Sequence, residues 1–333
     1  MKRSFICAYL IIFSAFLCAF MFTPPGLWSE PGDKFHEADK NEDLKHAPSP
    51  ADDTPADEPI RVLSGGQTLV IDLENLLASV VAAEMPAEYP IEALKAQAVA
   101  ARSYILFKKD SQNVLHPGAD ICADPAHCLS WLDDAALHAK WGSDYDKYHD
   151  KIISAVNQTA GQYLSYESKP INAVFFAISS GATEAVGDIW GGDLPYLAAV
   201  SSEGDRNAPD YSTEVTMTAA GLKSALSNRY PDAVLPDDLT KCFDSLTRSA
   251  SGGVTSVSFG NLRIHGSELR SIARLRSSNF TVECSGDVIT FTVYGYGHGV
   301  GMSQYGAKAM ADGGSDYREI VLHYYTGVML EGT

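Results

Sequence analysis

Positive charge is scarce in this chain: 25 Lys and Arg stand against 42 Asp and Glu, for a formal net charge of −17. That balance argues against nucleic acid or an anionic lipid surface as the main ligand, because both reward clustered Lys and Arg. Part of the acidic excess lies before residue 60, where 10 Asp and Glu stand against 5 Lys and Arg, and an uncharged polymer stays compatible as a ligand. The serines of Ser179-Ser180-Gly181 lack the Gly-x-Ser-x-Gly frame of a nucleophile elbow, which excludes the usual serine hydrolase. Gly295, Gly297, Gly299 and Gly301 have the wrong spacing for a P-loop and no phosphate-binding Lys follows them, so no nucleotide cofactor is expected. There is no internal repeat.

Charge is absent altogether from Phe5 to Phe22, an apolar run preceded by Lys2 and Arg3 and followed by Glu30, Asp33, Glu37 and Asp39. At about 1.5 Å per residue it covers most of a ~30 Å hydrocarbon core. The flanking charges place the N-terminus in the cytoplasm and send everything after Phe22 outward. We read residues 1–22 as a transmembrane anchor; a cleaved signal peptide is the alternative, although Pro24-Pro25 and Trp28 leave no good small-x-small cleavage site. Residues 23–59, rich in Pro, Asp, Glu and Ala and without apolar periodicity, form a tether too polar to offset the entropy of ordering.

Residues 60–333 have an ordinary apolar fraction and enough length for one large core with an insertion. The pattern predicts an α+β fold: a single large mixed domain with a ligand groove and a variable insertion over 205–285. Strands are expected around Leu69 and over 162–166, 174–178, 254–259 and 288–294. Helices are expected after Asp72, Pro90, Leu129, Asp146, Thr218, Ser267, Ser303 and Asp316.

The spacing Leu73, Leu76, Leu77, Val80, Val81 predicts a helix capped by Asp72 and stopped at Met85-Pro86, which leaves Glu84 at its end beside apolar packing. Desolvation there would raise its pKa and keep a proton available for general acid work, although a lone Glu at a helix end is more often plain surface. A second, alanine-dense helix starts near Pro90. On it Lys95 and Arg102, two turns apart, share a face that is either a solvated stripe or a cationic rim beside a carboxylate.

The string Val80-Val-Ala-Ala-Glu84-Met-Pro86, followed by Glu92-Ala-Leu-Lys95-Ala-Gln97 and on to Arg102-Ser-Tyr104, resembles the stage II sporulation protein D family, which includes amidase-enhancer proteins. Phe175 to Glu184 with Trp190 and Pro195-Tyr196-Leu197, Tyr294 to Ala307, and His323 to Gly327 are similar to its later segments, so the resemblance covers about 62–328. It implies a lytic transglycosylase that cleaves the MurNAc-GlcNAc linkage of peptidoglycan to a 1,6-anhydro product during forespore engulfment. The alternative it carries is a non-enzymatic, glycan-binding enhancer of a partner amidase. It also implies Glu84 as the acid with Lys95 and Arg102 as its companions, an extracytoplasmic domain in the intermembrane space of the sporangium, and a complex with stage II sporulation proteins P and M. Ordinary glycosidases use two carboxyls. The sequence offers no second one with a comparable claim, whereas a transglycosylase uses the sugar's own 6-hydroxyl.

His116, Cys122 and Cys128, with five residues in each gap, form a zinc-compatible set, and Pro117-Gly118 and Asp124-Pro125 supply turns. From the residues alone, a Cys122-Cys128 disulfide competes equally. The resemblance implies zinc, as an organiser of the site loop. His127 is then either a fourth ligand or an active-site residue, and we read it as the latter. Tyr296, His298 and Gln304 are candidate glycan contacts, with a satisfied structural histidine as the alternative for His298, and Ser179 and Ser180 are expected to line the groove. Trp190 and Tyr196 could stack on sugars or fill core, and Cys242 and Cys284 could form a disulfide or stay free.

Overall fold

The computed structural model describes residues 59–111, 116–124 and 126–332. The anchor at 1–22 and the tether lie outside them, and no helix among the described residues is long and apolar enough to cross a membrane. The fold is mixed α+β, with several small sheets rather than one large one.

The first core is built around a helix. A hairpin of β1 (Ile60–Ser64) and β2 (Gln67–Ile71) opens it, turned by Gly65 and Gly66 at φ +56 and +79, backbone angles that glycine adopts without strain. Next comes α1 (Leu73–Glu84), whose Asp72 cap accepts the Asn75 N–H at 3.0 Å. The following α2 (Ile91–Asp110) is the central element. Its alanines at 93, 96, 98, 100 and 101 are fully buried, so α1, α4 (Tyr145–Asn157), α8 (Gln304–Asp312) and α9 (Tyr317–Tyr324) can all pack against it closely. The short strand β3 (Ile121–Cys122) adds parallel to β1, and α3 (Asp134–Trp141) packs on α4. Strands β4 (Tyr163–Tyr166), β5 (Lys169–Pro170) and β14 (Met329–Glu331) close one side as an antiparallel sheet. Opposite the end of α1, β6 (Phe175–Phe176) pairs parallel with β13 (Met302–Ser303), and the single turn α5 (Val186–Ile189) follows β6.

A second core runs from Leu222 to Val293. Its sheets are β7 (Ser212–Thr218), β11 (Phe280–Ser285) and β12 (Val288–Tyr294), with β12 central, and β8 (Thr247–Arg248), β9 (Val254–Phe259) and β10 (Leu262–His265), with β9 central. Helices α6 (Ala219–Arg229) and α7 (Gly266–Ala273) complete it. The body that forms here spans about 212–294: β12 is the middle strand of its sheet, while Asp205 is buried against Ser179 and Ser303 of the first part. Cys242 and Cys284, both in this body, are not bridged. The seam is polar. Gly253 N–H donates to Glu184, Asn279 to Ser180, and Ser251 to the carbonyl of Thr183.

Candidate functional site

Glu84 is the last residue of α1, because Met85, before Pro86, turns extended at φ −125. Its partly buried side chain lines a cleft of about 290 Å³ together with Tyr104, Lys108, Trp190, Tyr296 and Gln304. Burial raises the carboxyl above the ordinary range. The Ser130 N–H, donating to Oε1 at 2.6 Å, and the charge of Lys140 pull the other way without cancelling it. Lys140 is held there by donating to the carbonyl of Ala82 at 2.8 Å. Among the described residues lining this cleft, Glu84 is the one carboxylate.

The far wall comes from the glycine-rich segment and β6. Tyr296, 45% exposed, offers an aromatic face at the cleft, with the Arg276 guanidinium 4.4 Å from its ring. His298 has both ring nitrogens engaged: Val300 N–H donates to Nδ1 at 3.1 Å, and Nε2 lies 3.0 Å from the carbonyl of Phe175. It packs beside Trp190 and Phe176, which fits the structural histidine better than a proton carrier. Gln304 donates through Nε2 to Gln97 Oε1 at 3.3 Å and is also a side-chain partner of Glu84. Ser179 and Ser180 do not line this cleft. Ser179 donates to buried Asp205, and Ser180 accepts from Asn279; both border a separate cavity of about 20 Å³.

A loop rising from β3 brings four ligand atoms within 4.8 Å of one another: His116, Cys122, His127 and Cys128. His127 Nδ1 lies 2.8 Å from His116 Nε2, 3.6 Å from Cys122 Sγ and 3.2 Å from Cys128 Sγ, and Cys128 Sγ is 3.5 Å from His116 Nε2. Donors around a tetrahedral zinc stand about 3.3–3.8 Å apart; the 3.5 and 3.6 Å separations fall in that range and the 2.8 and 3.2 Å ones are shorter, while two imidazoles and two thiols are a donor set that zinc takes. His127 is thus turned into the cluster as its fourth member, where a three-ligand set had been expected, and it also lines the cleft with Glu84. Its N–H and that of Cys128 both donate to the carbonyl of Asp124, and this tight turn presents the two side chains together. The two cysteines are not bridged, and hydrogen bonding to Cys128 lowers the Cys122 thiol to about 7. The same loop continues to Ser130 and so carries the N–H that holds Glu84.

Residues 66–166 match the family described as Stage II sporulation protein. Over 300 residues the chain is 35% identical to Stage II sporulation protein D of Bacillus amyloliquefaciens, an alignment covering 90% of this chain and 85% of that one. This chain belongs to the stage II sporulation protein D family. The protein of that name from Bacillus subtilis is 36% identical over 78% of this chain and 74% of its own. An amidase enhancer of the same species is 28% identical over 76% of this chain and 40% of its own.

Within this family member, Lys95 and Arg102 stand away from the cleft. Lys95 pairs with Glu92 at 2.7 Å over the ring of Tyr317. Arg102, fully buried, binds Glu74 through two nitrogens at 2.9 and 2.5 Å and donates to the carbonyl of Gln162. The reason is helical geometry. At about 100° per residue, Gln97, Tyr104 and Lys108 project roughly opposite to Lys95 and Arg102. The cation lining the cleft from α2 is therefore Lys108, 3% exposed. Sequence reasoning missed it, although its position one turn after Tyr104 was the available signal.

Proposed function

We propose that the protein is a lytic transglycosylase that cuts the MurNAc-GlcNAc linkage of peptidoglycan glycan strands during forespore engulfment. The observation that carries this is a cleft with one carboxyl, raised by burial, where a two-carboxyl glycosidase would need a second. Glu84 gives its proton to the glycosidic oxygen as the bond to the anomeric carbon breaks. The 6-hydroxyl of the same sugar then attacks that carbon, and its proton passes to the Glu84 carboxylate, which restores the acid and leaves a 1,6-anhydro end. Tyr296 provides aromatic surface for a sugar face. Zinc held by His116, Cys122, His127 and Cys128 would supply a cross-link within the loop rather than reaction chemistry. Residues 1–22 would anchor the chain with this domain outside the cytoplasm, in the intermembrane space, in company with stage II sporulation proteins P and M.

Similarity to an amidase enhancer supports a second reading, in which the cleft binds glycan and stimulates a partner amidase without cutting. Digestion of purified sacculi, followed by mass spectrometry, separates the two. The wild-type domain should release anhydro-muropeptides and Glu84→Gln should release none while keeping its fold. Product from the variant rejects Glu84 as donor, and none from the wild type leaves the enhancer reading.

A further inference from the structure

Behind the cleft, and not lining it, lies a fully buried carboxylate. Asp205 sits in the 3-10 turn Glu203–Asn207 with no exposed surface. Burial pushes its pKa up while hydrogen bonds pull it down, and a carboxyl in such a place needs partners; it has four. Its Oδ1 accepts from Ser179 N–H at 3.1 Å and Ser303 Oγ at 2.6 Å; its Oδ2 accepts from Ser179 Oγ at 2.9 Å and Ser202 Oγ at 2.5 Å.

Each serine is fixed in turn. Ser179 Oγ accepts the Gly181 N–H, Ser202 Oγ meets the Tyr324 hydroxyl at 2.6 Å, and Ser303 Oγ caps α8 by accepting the Gly306 N–H. The assembly leaves no room for a side chain at position 306, in the first turn of α8. A β-carbon at Gly306 would collide with Tyr324, Ser202 and Asp205 together. Gly204 does the same on the opposite side, where a β-carbon would fall 2.5 Å from that of Ala309.

Two of these serines lie where the cleft walls are made. Ser179 follows the segment bearing Phe175, Phe176 and Ala177, and Ser303 pairs with Phe176 and immediately precedes Gln304. Ser202 holds the same carboxylate from the side of α9.

We propose that Asp205 is a positioning residue: its carboxylate clamps Ser179 to Ser303 and so sets where Gln304 stands against Glu84. This rests on the glycan-cleaving reading of the cleft. It assigns Ser179 to the clamp rather than to substrate. Misplacement by about 1 Å can cost on the order of a hundredfold in rate, so the clamp acts on turnover.

Three variants test it: Asp205→Asn, Ser303→Ala and, as control, Ser202→Ala, which removes a bond to the same carboxylate without touching a cleft wall. Each is measured for melting temperature, for kcat and KM on glycan strands, and for the Gln304 side-chain amide signals in ¹H–¹⁵N spectra. Asp205→Asn and Ser303→Ala should lower kcat by about tenfold or more with KM within about twofold, and should shift the Gln304 signals. Ser202→Ala should lower the melting temperature and leave both readouts at wild-type values. Wild-type kcat or unmoved Gln304 signals in folded Ser303→Ala overturn the proposal, as does a kcat loss in Ser202→Ala equal to that in Ser303→Ala. If Asp205→Asn does not fold, Ser303→Ala decides. Should the wild type release no anhydro product, the cleavage reading fails, while the Gln304 spectrum still reports whether the clamp exists.

Discussion

Burial and local charge act on Glu84 in opposite directions, and burial prevails. A general acid works while it holds its proton, so activity should be retained at low pH and fall as pH rises through the raised value. Lys140 moderates the shift, since its charge favours the ionised carboxyl. Lys140→Met should therefore move the falling limb of the pH–rate profile to higher pH, and a limb that stays or moves down would contradict the account. Glu84 could be placed from sequence because Pro86 fixes the helix end by local sterics. The partners Ser130 and Lys140 could not, since each arrives from an element whose docking depends on the whole core. For His127 both the spacing and the turn are visible, since the turn closes by local bonds from the His127 and Cys128 N–H groups to the Asp124 carbonyl; that its ring meets His116, eleven residues away, is not.

Along α2 one helix serves two purposes. One side presents Tyr104 and Lys108 to the cleft, and the other ties the core together through Arg102 and Glu74. Removing one member of a buried pair leaves the other charge stranded, at a cost of about 3–5 kcal/mol. Glu74→Ala, which strands Arg102, should lower stability by about that amount, and Arg102→Met, which removes the buried charge itself, by less; denaturant titration measures both. Equal losses would argue against a stranded-charge penalty. The periodicity of α2 was legible, but periodicity relates side chains to one another and not to the neighbours they will meet. That is why the common face of Lys95 and Arg102 can be read from sequence, while their pairing with Glu92 and Glu74 cannot. Caps were the most readable feature: Asp72, Thr218, Ser303 and Asp316 each accept a hydrogen bond at the helix start they were expected to mark. Strand 254–259 and strand 288–294 follow their alternation, whereas the expected 174–178 shrinks to Phe175–Phe176 because its partner β13 is cut short by the helix at Gln304.

Across the whole molecule, the loop from His116 to Ser130 links the opening hairpin to the end of α1. Asp120 holds Arg61 of β1, β3 pairs with β1, and Ser130 reaches Glu84. Reduced, purified protein should carry about one zinc per chain, with Cys122→Ser losing it. Chelation should speed hydrogen exchange at Ser130 and β3 while β12, in the second core, exchanges as before. No zinc in a reduced sample removes the metal site, and uniform acceleration removes the idea that its effect is local. The second core was the least legible region, since its boundary is set by β12 crossing into a sheet with β7, a pairing across some seventy residues of sequence. Parallel pairing of β6 with β13 joins segments still further apart. Glu84 comes early in the chain, whereas the wall that faces it is assembled from β6 and from Tyr296 to Gln304, so the cleft closes only when the C-terminal part has folded onto the first core.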